Sequence, residues 1–281
     1  CWPPFSLSEK IVDQIRAITK KLALACGIRG LLNIQYAVRD EHVFVIELNP
    51  RASRTVPFSS KATGVSLAKY ASRIMAGEKI SELRAQGLLP DENRTVDYYA
   101  VKEAVMPWSR FPGADSILGP EMKSTGEVMG IARTFPAAYA KTREAVENKL
   151  PEQGSVFISV CDRDKRAIAP VAMALENLGY GIYTTGGTAK TLRAAGIDCT
   201  TVNRISDGHP NVVDLMRDKT VSFIINTPHG HEAHSDGTKM RAEAVSQGIT
   251  CVTAMSAATA LIQALAAARK SEPETFALQD L

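Results

Sequence analysis

At 281 residues the chain is long for one hydrophobic core, so two domains are expected. A content of 45% hydrophobic and 22% charged residues is that of a soluble globular protein, and a net charge of +3 is too small to argue for nucleic acid. No apolar run approaches the span needed to cross a membrane, and no signal peptide is visible. Five cysteines (Cys1, Cys26, Cys161, Cys199 and Cys251) lie far apart without a CxxC pair. That spacing favours reduced thiols in a cytosolic protein over a disulfide framework or zinc site. The chain opens CWPPFSLSEK without methionine, so a piece of something longer is expected.

Ser8 to Cys26 is predicted as the first helix. Ser8 is placed to cap it, Ile11, Ile15, Ile18, Leu22 and Ala25 recur at helical spacing, and Gly27 ends it. Two strands follow, Leu31–Val38 and Val43–Leu48, around Arg39-Asp40-Glu41-His42 as a hairpin. The second is a continuous β-branched and aromatic run and reads as buried. Glu47 stands near its end and Asn49 two residues on, so period-2 geometry points both to one side. Strand pairing could bring the Gln35 amide beside Glu47, but spacing leaves the register open, and an ordinary half-buried glutamine fits as well. Carboxylate and amide oxygens are hard ligands suited to magnesium. The polar loop that follows holds Pro50 and Pro57 together with Arg51 and Arg54, whose guanidinium forks match phosphate oxygens.

Thr63 reads as the cap of a second helix through Met75, stopped by Gly77. Leu83–Arg94 reads as a polar loop, and Thr95–Met106 as a strand whose apolar character Glu103 interrupts. Pro107–Met122 is expected to be an extended surface loop, and Thr134–Lys149 a helix that closes the first domain. The boundary is placed at Pro151-Glu152-Gln153-Gly154, giving domains at 1–150 and 151–281.

Beyond the boundary short apolar strands alternate strictly with amphipathic segments. Strands are predicted at Val156–Val160, Gly181–Thr185, Cys199–Val202, Val221–Asn226 and Thr250–Thr253. Helices are predicted at Lys165–Leu178, Thr188–Ala195, Asn211–Arg217, Ala233–Ser246 and Ser256–Arg269, and Ser271–Leu281 as a loose tail. The fold class is α/β, with a doubly wound parallel sheet in this half. Ligands of such sheets bind beyond the carboxyl ends of the strands. There stand Ser159, Lys165, the Thr185-Gly186-Gly187-Thr188 turn, Arg204 and Asn226-Thr227. Glycines admit an anion to backbone N–H groups, and hydroxyls and cations add donors, so a pocket for a phosphorylated small molecule is expected. His229, His231 and His234 in HGHEAH read as a solvated polar loop in preference to a metal site, and Cys199 and Cys251 as small core residues. No Ser/His/Asp arrangement supports hydrolase chemistry.

The runs GLLNIQYAV, VFVIELNPRASRTVPFSSKATGVSLAKYASRIMAG and LGPEMKSTGEVMGIARTF resemble the large chain of carbamoyl phosphate synthase in its carboxy-terminal half. The first domain looks like the trailing part, an α+β lobe, of the second ATP-grasp domain. Residues 155–281 look like the methylglyoxal-synthase-like regulatory domain, with the TGGTA and IINT segments carrying that likeness. The resemblance implies that Gln35, Glu47 and Asn49 hold two magnesium or manganese ions bridging the phosphates of ATP, and that Arg51, with Arg54 beside it, contacts the transferring phosphate. The implied reaction is ATP-dependent phosphorylation of carbamate to carbamoyl phosphate for pyrimidine and arginine biosynthesis. The implied partners are the rest of the large chain and a glutaminase small subunit.

For the regulatory domain the resemblance implies a nucleoside monophosphate effector, uridine or inosine monophosphate (UMP or IMP), at Ser159, Lys165, Thr185, Thr188, Arg204 and Asn226. Arg204 stands where lysine is more usual, and Pro228 replaces a hydroxyl residue. Glu103 matches a carboxylate that binds the amino group of ornithine in some bacterial enzymes, but Val252 stands where those can have aspartate. A nucleotide effector is therefore expected over ornithine. The resemblance also implies a nucleotide-covering lobe that these 281 residues do not include, so no synthase activity is expected from them alone. Two alternatives are a stand-alone nucleotide-sensing module and a methylglyoxal synthase acting on dihydroxyacetone phosphate with Asp162, Asp164 or Asp207 as base.

Overall fold

The computed structural model describes residues 1–90, 96–110, 116–117, 121–146, 151–227, 231–270 and 274–280. Helix α1 (Glu9–Ala25) starts after an extended Ser8, and Gly27 leaves it at φ +59°. Its one buried residue is Ile11. Strands β1 (Asn33–Arg39) and β2 (His42–Asn49) pair antiparallel across a two-residue turn, in which Asp40 and Glu41 both have positive φ. That geometry matches the right-handed twist of the flanking strands. Helix α1 reaches the hairpin through Thr19 Oγ1, 2.6 Å from the Tyr36 hydroxyl.

Burial of β2 does not follow from its apolar run. Phe44, Val45 and Ile46 are 53%, 45% and 64% exposed. Among the described residues β2 pairs with β1 alone, and a two-stranded ribbon offers too little neighbouring surface to cover both faces.

The stretch after Asn49 also differs from expectation. Helix α2 (Thr55–Thr63) occupies most of the predicted polar loop, and Thr63 is its last residue rather than a cap. Pro57 falls in its first turn, where a missing N–H interrupts no hydrogen bond, and Gly64 ends it in the left-handed region. The next helix, α3 (Leu67–Met75), starts after Ser66 and stops before Gly77 at φ +109°. A short helix α4 (Ile80–Ala85) lies at the start of the predicted loop; Glu82 accepts from the Lys79 N–H at 2.7 Å, and Leu83 is fully buried. Residues 91–94 of that loop, and the first residue of the strand predicted at 95–106, lie outside the described residues.

Strand β3 (Tyr99–Val105) forms a two-stranded sheet with β4 (Gly126–Ala132), a strand the pattern of alternation did not reveal. Helix α5 (Phe135–Ala145) follows. Gly130 is required where β4 meets α5: an added Cβ would collide with the carbonyl oxygen of Ala138 and come within 3.1 Å of the Thr142 N.

The chain forms two compact units, Cys1–Lys102 with Ile131–Phe135 and Glu274–Leu281, and Glu103–Gly130 with Pro136–Pro273. In the first, Tyr98 donates its hydroxyl to the Ala62 carbonyl at 2.7 Å, and Ala71, Leu83 and Ala100 are buried. The domain boundary expected at 150–151 is a division by sequence pattern and lies within the second unit.

The second unit is built on five strands: β5 (Ser155–Val160), β6 (Gly181–Thr185), β7 (Thr200–Val202), β8 (Phe223–Thr227) and β9 (Thr250–Val252). All neighbours are parallel, in the order β7-β6-β5-β8-β9. Helices α6 (Lys165–Asn177), α7 (Gly186–Ala194) and α10 (Met255–Ala268) cover one face, packing Ile168, Leu175, Leu192 and Leu261 on Val156, Ile158 and Ile225. Helices α8 (Val212–Arg217) and α9 (His231–Ser246) cover the other, packing Met216 and Met240 on Phe157 and Ile224. Successive strand residues thus feed opposite cores, as a sheet covered on both sides requires. The doubly wound expectation is met strand by strand.

Gly130→Ala is expected to destabilise the protein by about 2–4 kcal/mol through overpacking, read as a lowered urea midpoint. Gly186→Ala, where nothing lies within 4 Å of the new Cβ, is expected to stay within about 0.5 kcal/mol.

Candidate functional site

At the end of the β1–β2 hairpin the register answers the question spacing left open. Gln35 pairs with Glu47 and Asn33 with Asn49, whereas Tyr36 pairs with Val45. The intervening Ile46 is a bulge. Continued without it, the pairing of Tyr36 with Val45 would set Ile34 opposite Glu47 and turn Gln35 away. With it, the Gln35 amide and Glu47 carboxylate stand directly opposite on one face.

Asn49 shares that side, since its Nδ2 donates to Glu47 Oε1, and its Oδ1 accepts from Arg51 Nη2 at 3.4 Å. Arg51 also donates to the Ala52 carbonyl at 3.1 Å. Arg54 holds the N-cap position of α2. All of these lie in the first unit. Gln35, Glu47, Arg51 and Arg54 are exposed and Asn49 is half-buried; together they offer one carboxylate, two amide oxygens and guanidinium N–H donors, a hard-oxygen set with anion-binding donors beside it. Among the described residues no cluster of three His, Cys, Asp or Glu could hold a metal.

The other predicted group gathers at the carboxyl ends of β6, β5 and β8. Ser159 pairs in register with Asn226, and the Asn226 Nδ2 donates to the Ser159 carbonyl at 3.0 Å. The Ser159 and Thr185 hydroxyls are 3.3 Å apart. Lys165, at the start of α6, sets its Nζ 3.6 Å from where a Cβ of Gly187 would stand, against the first turn of α7. Its present partner is Asp162, at 2.5 Å. This is the point where the strand order reverses and the helices part to opposite faces, the usual place for a ligand in an open α/β sheet.

Two of the predicted residues sit differently. Thr188 is buried and its hydroxyl accepts the Val160 N–H at 3.4 Å, so it ties α7 to β5. Arg204 is exposed, caps the turn Ile205–Asp207 after the edge strand β7, and is joined to the others by no described hydrogen bond. His229 and Pro228 lie outside the described residues; His231 and His234 fall in the first turn of α9. Cys199 is buried, which pushes its thiol pKa up, and none of the five cysteines is in a disulfide.

Glu103 is engaged from within the protein. Its carboxylate accepts from Arg143 Nη1 and from the Thr142 hydroxyl at 2.9 Å, and Arg143 Nη2 reaches Thr250 Oγ1 at 3.4 Å. A tethered guanidinium therefore already fills the carboxylate's demand for a cation. Sequence reasoning also missed Arg241, on α9. It is fully buried, and its Nη1 donates to Asn226 Oδ1 at 3.4 Å. A charged residue at an inward helical position was the available signal.

With this geometry in place, two family models match the sequence: the carbamoyl-phosphate synthase L chain, ATP binding domain, over residues 2–83, and the MGS-like domain over residues 167–253. Relatives named carbamoyl phosphate synthase large chain are 45% identical over 99% of this chain in Acidobacterium capsulatum and 46% identical over 99% in Pseudomonas putida. A carbamoyl phosphate synthase large chain, C-terminal section, from Aquifex aeolicus is 43% identical over 97%. Over nearly its whole length the chain is similar to the carbamoyl phosphate synthase large chain. It spans 25% of the length of the first two relatives and 53% of the third.

A solved methylglyoxal synthase from Elizabethkingia anophelis covers 41% of this chain and 79% of its own, at 16% identity and a TM-score of 0.35, too slight a likeness to carry an argument. The hairpin group falls inside the family's ATP-binding match. Thr185, Thr188, Arg204 and Asn226 fall inside the MGS-like match.

Beside the second group, hydrogen bonds from Cys161 above all, then from Thr227 and Arg163, hold the Asp164 carboxyl below the usual carboxylate range against the opposing effect of burial. A lowered folded pKa means that Asp164 stabilises the fold fully above about pH 4 and loses that contribution as pH falls through the folded value. In Cys161→Ala the Asp164 titration, followed by carboxyl NMR, is expected to move up toward the usual carboxylate range, and the acid limb of the stability profile to shrink with it.

Proposed function

We propose that this chain is part of a large subunit that phosphorylates carbamate with ATP to give carbamoyl phosphate, and that residues 151–281 are its nucleotide-sensing regulatory domain. The observation that carries the catalytic part is the bulge at Ile46, which stands Gln35 opposite Glu47 with Asn49 and Arg51 at the same hairpin end. The donor chemistry fits magnesium or manganese: three side-chain oxygens of hard character, with Gln35 and Glu47 exposed and Asn49 half-buried. Gln35, Glu47 and Asn49 would hold the ions, which when bound neutralise charge on phosphate oxygens. Asn49 would then turn its oxygen rather than its NH2 to the cation. Arg51 donates to the phosphate in transfer, where negative charge is spread over the equatorial oxygens, and Arg54 adds positive charge beside it.

In the regulatory part, Ser159, Lys165, Thr185 and Asn226 supply hydroxyl, ammonium and amide donors at one crevice, with Arg204 at the β7 side and Thr188 securing the α7 turn. That set suits UMP or IMP. The occupied state of Glu103 favours a nucleotide over ornithine as effector. Partners under this reading are the rest of the large chain and a glutaminase subunit. Under this reading the setting is the cytosol; none of the five cysteines is in a disulfide, and no helix among the described residues is long and apolar enough to cross a membrane. No observation favours a methylglyoxal synthase: Asp162 is held by Lys165, the lowered pKa of Asp164 makes it a weaker base, and Asp207 is exposed.

In the complete large chain, Glu47→Ala is expected to lower carbamoyl phosphate formation at least about a hundredfold, as loss of a metal ligand does. An unchanged rate would reject the hairpin assignment. Calorimetry with UMP and IMP is expected to show binding of one of them, weakened about tenfold or more in Lys165→Ala, since a charge-assisted phosphate contact is lost. Binding of neither nucleotide rejects the effector reading.

A further inference from the structure

Arg241 is the largest fully buried side chain among the described residues. Its Nη1 meets Asn226 Oδ1 at 3.4 Å, and its Nη2 meets Thr238 Oγ1 at 3.4 Å. On the opposite edge of the same amide, Asn226 Nδ2 donates to the Ser159 carbonyl at 3.0 Å. An asparagine amide can present either its oxygen or its NH2 to a ligand, and the orientation is decided by its neighbours. A guanidinium is a donor only, so on one edge it requires the oxygen; a carbonyl is an acceptor only, so on the other it requires the NH2. Asn226 is thereby locked between α9 and β5 with its donor side at the carboxyl end of β5.

The helix makes room for this contact one turn earlier. A Cβ at Gly237 would come within 2.8 Å of Arg241 Nη1 and 3.6 Å of Asn226 Oδ1. Glycine is disfavoured inside a helix, and here the missing side chain leaves the space that the guanidinium occupies beside the amide.

We infer that Arg241 is a positioning residue for the nucleotide crevice: it holds the Asn226 amide so that an N–H, not an oxygen, faces the phosphorylated ligand. The inference rests on the reading of that crevice as a nucleotide site. Lysine could keep the charge at 241, but a single ammonium on a flexible stem cannot reproduce a planar fork fixed between Asn226 and Thr238.

The test is calorimetric titration of the full chain with UMP and IMP, in four variants besides the native sequence. Arg241→Lys and Asn226→Ala are each expected to weaken binding about tenfold, the worth of one charge-assisted contact. In the double variant the losses are expected not to multiply, because Arg241 acts through Asn226. Gly237→Ala, which keeps the arginine but presses on it, is expected to weaken binding while leaving the thermal midpoint at or above the native value; it decides the matter if Arg241→Lys fails to fold. Native affinity in both Arg241→Lys and Gly237→Ala, or losses that multiply fully with Asn226→Ala, would overturn the positioning role while leaving the pocket reading intact. Absence of UMP and IMP binding to the native chain would overturn the pocket reading and the inference with it.

Discussion

The carboxy-terminal half depends on one constraint, that β5 is paired in parallel with β6 on one side and β8 on the other. Parallel strands need crossover connections, and right-handed crossovers that run first one way and then the other along the sheet place their helices on opposite faces. Helices α6 and α7 pack on one core, α8 and α9 on the other, and the two sets part where β5 meets β8. Backbone polar groups and side chains at those strand ends are left facing a crevice. Ser159, Thr185 and Asn226 come together there because they end three adjacent strands, although they are spread over 67 residues between the outermost two.

The amino-terminal half works under a weaker constraint. Two strands alone cannot bury both faces, so β2 keeps Phe44, Val45 and Ile46 exposed, and its geometry is fixed by the turn at Asp40-Glu41 and by the bulge. A bulge adds one residue on one strand and moves every later side chain by one place relative to its partner. That single residue separates a hairpin end with a matched amide and carboxylate from one in which Ile34 faces Glu47. Glu103 shows the same sensitivity from the other direction: a carboxylate that residue type alone offers to a ligand is already taken by Arg143 and Thr142 of α5.

Much of the architecture was legible in the residues. Every strand and helix of the alternating half stands within a few residues of its predicted place, because each strand is an apolar run bounded by turns and each helix has one apolar face. The failures have local causes. Helix α2 hid behind Pro57, which is harmless in a first turn; α4 is too short to show a period; β4 carries glycines at Gly126 and Gly130, the second demanded by contact with α5. The Thr188 hydroxyl, expected as a ligand donor, also accepts a backbone N–H of β5, a contact that no local pattern shows.

The sequence by itself determined the chemistry on offer: the carboxylate and amide oxygens of Gln35, Glu47 and Asn49, the arginines after them, and the hydroxyl, amide and ammonium donors at successive strand ends. Residue type and spacing along one strand decide those matters, since side-chain direction alternates without reference to the rest of the fold. Only the tertiary structure decided which of these groups meet. Register across the hairpin, the occupant of Glu103 and the arginine behind Asn226 are relations between segments far apart in the chain. No local periodicity encodes them, because they are set by which strand pairs with which and by what the packing of a helix leaves room for.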